Sequence, residues 1–156
     1  MKNLNKYIKF EAIKEPWNIY KLKDDTLVKT RFILIHAVFE GVDEAINPKY
    51  SVNADTVMGI IVPESLRGKP SEKSYTAEER VDAIEQELDF EVVKEEWSEY
   101  RFDDGTIFKV KQVLTKAAKT SLYDSRGDPL YLINNQPMMD ISVPKEVREK
   151  LKALKK

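Results

Sequence analysis

The stretch Phe10 to Thr26, FEAIKEPWNIYKLKDDT, returns 80 positions later as Phe90 to Thr106, FEVVKEEWSEYRFDDGT. Phe10, Glu11, Lys14, Glu15, Trp17, Tyr20, Asp24 and Thr26 meet identical residues at Phe90, Glu91, Lys94, Glu95, Trp97, Tyr100, Asp104 and Thr106. After a loop one residue longer in the second half, the correspondence resumes at a shift of 81. There Pro48, Tyr50, Asn53, Met58, Ile60, Val62, Pro63 and Arg67 meet Pro129, Tyr131, Asn134, Met139, Ile141, Val143, Pro144 and Arg148. This reads as a tandem duplication. A unit of this size seldom buries its apolar face alone, so the copies are expected to share a core.

Within each copy the residues favour strands. Phe10 to Leu22 is dense in aromatic and apolar residues. Its alternation slips near Trp17, where Pro16 removes a backbone donor; a bulge or break is expected there. Lys23–Thr26 and Asp103–Thr106 read as hairpin turns, the second strengthened by Asp-Gly. Leu27 to Phe39 and Ile107 to Lys119 are the return strands, and the nearly continuous apolar run Phe32 to Phe39 predicts cover on both faces. Loops over 40–46 and 120–127 follow. Two further strands per copy are expected, near 50–52 and 57–62, with Asn53–Asp55 turning between them. Val-Pro-Glu-Ser-Leu-Arg and Val-Pro-Lys-Glu-Val-Arg predict a strand that stops at proline and passes into a helical turn.

Two segments read as helices. Thr76 and Glu79 form a capping box, with Val81, Ile84 and Leu88 on one face, so a helix is expected over Thr76–Leu88. Lys145–Lys156 carries a stripe of Val147, Leu151 and Leu154. Residues 1–9 fit a short helix or a leading strand equally. The predicted fold is mainly β with a minor helical part: a duplicated hairpin-plus-two-strand module forming a pseudo-two-fold sandwich or barrel. The boundaries are 1–68 for the first copy, 69–89 for linker and helix, and 90–156 for the second copy with its helix.

Composition narrows the function classes. A hydrophobic fraction of 42% supports a packed core, and a formal net charge of -1, spread evenly over both halves, argues against a protein that chiefly neutralises phosphates. There is no cysteine, which removes thiolate metal sites and a cysteine nucleophile, and a single histidine removes a His-rich metal site. The 34% of charged residues is a thermophile-like composition. No apolar run reaches the roughly 20 residues that span a bilayer, and the charged N-terminus lacks a signal-peptide core; a cytoplasmic protein without membrane contact is expected.

The residues retained in both copies are the candidates for binding. Trp17, Trp97, Tyr20 and Tyr100 could stack on bases or grip a peptide, although packing with satisfied polar tips is the commoner fate of strand aromatics. Lys29, Arg31, Lys109 and Lys111 make a basic ridge that could meet phosphates, or a solvated face paired with Glu15, Glu95, Glu11 and Glu91. His36 lies in an apolar strand, where a lone histidine is more often a satisfied core residue than a catalyst. Asp24 and Asp104 read as turn chemistry, as does Asn53 with Asn134. No phosphate loop, nucleophile elbow or zinc motif is present. No catalytic residue, metal or cofactor is assigned.

Three functions follow. The first is a non-catalytic binding or assembly module of a larger complex, with a protein partner or a second copy of the chain. The second is binding of RNA or single-stranded nucleic acid through the basic faces. The third is a small-molecule-binding protein or enzyme with a site between the copies near His36. Recurrence marks what the fold needs twice, so function is expected where the copies differ: the helix Thr76–Leu88, the unequal loops over 40–46 and 120–127, and the C-terminal tail.

Overall fold

The structure, a computed structural model, describes residues 7–155. Nine strands and two short helices follow in order: β1 (Phe10–Lys14), β2 (Asn18–Leu22), β3 (Leu27–Val42), β4 (Pro48–Ile61), α1 (Ala77–Asp82), β5 (Ile84–Leu88), β6 (Phe90–Lys94), β7 (Ser98–Phe102), β8 (Ile107–Tyr123), β9 (Pro129–Ser142) and α2 (Lys145–Lys155). The chain is mainly β, in two antiparallel sheets, neither of which closes. One sheet runs β4-β3-β2-β6. The other runs β1-β7-β8-β5, with β9 on the far side of β8.

The sheets are laced together by exchanged strands. β1 does not pair with β2, its neighbour in sequence, but with β7, aligning Phe10 with Phe102 and Ala12 with Tyr100. β6 pairs with β2 in the same register, aligning Phe90 with Leu22 and Val92 with Tyr20. The chain breaks between β1 and β2 at Glu15–Trp17, as Pro16 predicts, and between β6 and β7 at Glu95–Trp97, which has no proline. The shared cause is tertiary. Each break turns a glutamate inward to a tyrosine of the other half, and Glu96 N–H donates to Asn18 Oδ1 at 2.8 Å across the junction.

Buried residues form two clusters, and each draws on both halves of the chain. Tyr20, Leu22 and Val28 pack with Leu88, Leu114, Ala117 and Tyr131. Phe32, Leu34 and Ala37 pack with Tyr100, Phe102, Phe108 and Val110. Each long strand thus serves one cluster with its first residues and the other with its last. Phe102 and Phe108 stack at 5.6 Å between centroids, and the edges of Phe10 and Tyr50 meet this group. Full burial of such rings is worth about 1.5–3 kcal/mol each.

Several expectations change. The continuous run Phe32–Phe39 is buried on one face only, because a bulge between Leu34 and His36 resets the alternation and leaves Ile35 and His36 exposed. The same bulge recurs between Leu114 and Lys116. The two short strands expected near 50–52 and 57–62 are one strand, β4; Asn53 lies within it opposite His36 and does not turn the chain, and Asn134 lies likewise opposite Lys116. The loops shrink to Asp43–Asn47 and Asp124–Asp128, and the extra residue of the second half enters the irregular end of β8.

The helix expected over Thr76–Leu88 ends at Asp82. Its capping box forms, Glu79 N–H donating to Thr76 Oγ1 at 3.1 Å and Thr76 N–H to Glu79 Oε1 at 2.9 Å. Residues Ile84–Leu88 instead pair with Ala117–Thr120 of β8 and bury Leu88. Ladder bonds and a core contact outweigh helix propensity in so short a segment. Of residues 1–9, 1–6 lie outside the described residues, and Tyr7 makes an isolated bridge to Val38. After β4, Glu64–Leu66 forms a 3₁₀ turn, and α2 starts just past Pro144, as the Val-Pro steps predict. No helix among the described residues is long and apolar enough to cross a membrane.

Candidate functional site

The recurring aromatic and charged residues assemble into two similar clusters at the breaks. In the first, Lys29 Nζ sits 4.6 Å from the Trp17 ring centroid, with the Arg31 guanidinium at 5.9 Å. Arg31 also reaches Glu15 at 3.7 Å. In the second, Lys111 Nζ lies 4.7 Å from the Trp97 ring and 3.3 Å from Glu95 Oε1. Cation–π contacts at such sites contribute about 0.5–1 kcal/mol. Both glutamates accept a hydrogen bond from a buried phenol, Glu95 from Tyr20 and Glu15 from Tyr100, each at 2.6 Å.

The predicted site residues therefore divide. Tyr20 and Tyr100 are wholly buried, so neither ring offers a face to a base. Burial, and then the neighbouring carboxylate, pushes both hydroxyls well above the usual tyrosine range. Trp17 and Trp97 are half-buried under a cation. Arg31 and Lys111 are held by carboxylates. Lys109 lies between Glu99 on β7 and Asp140 on β9, whereas Lys29 lies between Ile19 and Gly59. Asp24 and Asp104 cap their turns, each Oδ1 accepting the N–H two residues on, at 3.0 and 2.9 Å.

His36 is exposed, not a core residue, and its ring lies 4.7 Å from that of Tyr7. Two hollows, of about 350 and 310 Å³, lie where β6 meets β2 and where β1 meets β7, lined by Leu22, Phe90 and Lys23 in one and by Phe102, Phe10 and Asp103 in the other, and His36 lines neither. Both open broadly to solvent. No group of three His, Asp or Glu side chains converges for a metal among the described residues.

The larger difference lies at the sheet edges. Among the described residues β4 and β9 each pair on one side only, and each leaves apolar side chains exposed: Val57, Met58 and Ile61 on β4, Met138 and Met139 on β9. Side-chain bonds to β3 and β8 fix which way their backbones face. The carbonyl of Phe32 accepts from Tyr100 OH at 3.3 Å, and Leu34 N–H donates to the Tyr100 hydroxyl oxygen at 3.0 Å. Those groups point away from β4, so Thr56 and Ala54 opposite them turn their own N–H and C=O to the free edge. Alternation adds Met58 and Ile60 to this row.

On β9 the corresponding register differs in chemistry. The Gln112 carbonyl accepts from Tyr20 OH at 3.3 Å, so Pro137 opposite it faces the free edge, where it has no N–H to offer. Asp140 adds a charge where β4 has Gly59. Proline and charge on an edge are the usual devices against unwanted pairing. β9 has both. Thr56–Val62, TVMGIIV, has neither.

Comparison with family models, with curated proteins and with solved structures returned no match. Recurrence in the sequence marks Trp and Tyr and passes over the edge residues. Their signal was Thr56 against Pro137 and Gly59 against Asp140, two disagreements between otherwise similar stretches.

Proposed function

We propose that this protein is a non-catalytic binding module that docks an extended protein segment on the open edge of β4. The scaffold is read as a tandem duplication whose copies exchange β1 and β6 about a pseudo-two-fold axis; the recurrence of the Phe10–Phe102 register as Phe90–Leu22 supports this. One observation carries the functional reading. Of two similar edges, β9 is blunted by Pro137 and Asp140, and β4 keeps an unbroken row of outward N–H and C=O groups flanked by exposed Val57, Met58 and Ile61. Such an edge accepts a strand through main-chain hydrogen bonds, and the side chains that alternate beside it select the sequence.

The nucleic-acid alternative rests on fewer groups than the sequence offered. Its tyrosines are buried and two of its four cations are held by glutamates. The test is capture from the native extract with the wild-type chain and with Thr56→Pro in parallel. A protein held by the wild type and lost by the variant is expected. A protein held equally by both would place the docking surface elsewhere, and recovery of nucleic acid instead would favour the alternative.

A further inference from the structure

We infer that the strand received by β4 is β4 of a second copy of this chain, antiparallel and centred on Gly59. This names the occupant of the edge proposed above and rests on that reading.

Three features select a second copy. The first is charge. Thr56–Val62 contains no ionisable side chain, so two copies align with no like charges opposed, and a charged strand finds no counter-charge there. The second is a self-complementary pattern. Val57 and Ile61 stand exposed two positions to either side of Gly59, on the same face. Antiparallel alignment about Gly59 brings Val57 of one chain opposite Ile61 of the other, and Met58 opposite Ile60. Met58 and Ile60 both turn their backbone groups to the free edge, so the two rows meet donor to acceptor. A Cβ added at Gly59 would meet nothing within 4 Å, so the two glycines approach unobstructed at the centre.

The third is the blunting of β9. A chain with two open, self-pairing edges would join copies without end, whereas one open edge closes after two. The edges β1, β5 and β6 are five residues long and carry charged side chains; of the two long edges, Pro137 and Asp140 leave one open.

Sedimentation of the purified full-length protein over a rising concentration series tests the inference. A monomer–dimer equilibrium is expected in the wild type, and its loss in both Thr56→Pro and Gly59→Asp. Each variant copies the residue that β9 carries at that position, and a circular dichroism spectrum checks that it folds. Amide exchange on the wild type gives a second reading that needs no variant: protection at Thr56, Met58 and Ile60 is expected to rise with concentration. A wild type that stays monomeric throughout, or a dimer indifferent to both substitutions without concentration-dependent protection of β4, overturns the inference. If the wild type is monomeric but captures another protein that Thr56→Pro loses, the open edge stands and the second copy falls. If it is monomeric and its captured partner ignores Thr56→Pro, both fall.

Discussion

The hydroxyl of Tyr20 donates to Oε2 of Glu95 at 2.6 Å, 75 positions along the chain. Tyr100 donates to Glu15 at the same distance, 85 positions back. These bonds fasten each half of the chain to the break in the other half, where β1 and β6 leave for the opposite sheet. Both phenols are buried and both acceptors are carboxylates, so each bond belongs to the charge-assisted class worth about 1.5–3 kcal/mol. Tyr20→Phe and Tyr100→Phe are each expected to lower unfolding free energy by that amount, measured by urea denaturation. A change well below 1 kcal/mol would mean that water replaces the bond at little cost.

Alkaline stability follows from the same residues. Burial, followed by the hydrogen bond to glutamate, raises the Tyr20 and Tyr100 pKa in the folded state above the ordinary 10.0. Burial raises Tyr131 also, with Asp24 nearby. Below the ordinary value both folded and unfolded states hold the proton, and the contribution of these groups is fully present. Above it the unfolded chain releases protons that the folded chain retains, so stability falls as pH climbs beyond about 10. Thermal unfolding measured from neutral to strongly alkaline pH should show the decline, shallower in a Tyr20→Phe/Tyr100→Phe variant. An equal decline in wild type and variant would assign it to other groups.

The turns Asp43–Asn47 and Asp124–Asp128 have the same construction and opposite tolerance. In each the first Asp Oδ1 accepts two backbone N–H groups at 2.8–3.0 Å. The left-handed position is Ile46 at φ 62° in one and Gly127 at φ 88° in the other. Ile46→Gly is expected to stabilise by about 0.5–1 kcal/mol, since relief of the left-handed conformation exceeds the entropy of added glycine. Gly127→Ala is expected to cost about 1–2 kcal/mol or more, because its Cβ would also stand 2.6 Å from the Gly68 carbonyl. Chemical denaturation of the two variants gives the signs; the same sign for both would contradict this account.

Restoring the edge of β9 should change assembly, not folding. Pro137→Thr/Asp140→Gly gives β9 the residues β4 carries at those positions, and the double variant would then present two open edges. Open-ended assemblies are expected, seen by light scattering at concentrations where the wild type stays small. A variant no larger than the wild type would show that proline and charge are not what separates the edges.

Much of the architecture was legible in the residues. Asp24-Asp25 and Asp104-Gly105 announced their turns, Pro63 and Pro144 the ends of strands, and Thr76 with Glu79 the start of a helix. Each rests on backbone chemistry within a few residues. Tertiary structure decided where that chemistry competes with distant partners. Ile84–Leu88 became a strand because β8 offered an edge and the core offered Leu88 a place. β1 left β2 for β7, a pairing that no local spacing encodes. Trp17 and Lys29 were legible as candidates, but their contact, and the burial of Tyr20, belong to the fold. Thr56 and Pro137 were plain in the sequence from the start. Only the direction of their backbones, set by Tyr100 and Tyr20 bonding to the neighbouring strands, made one an open edge and the other a closed one.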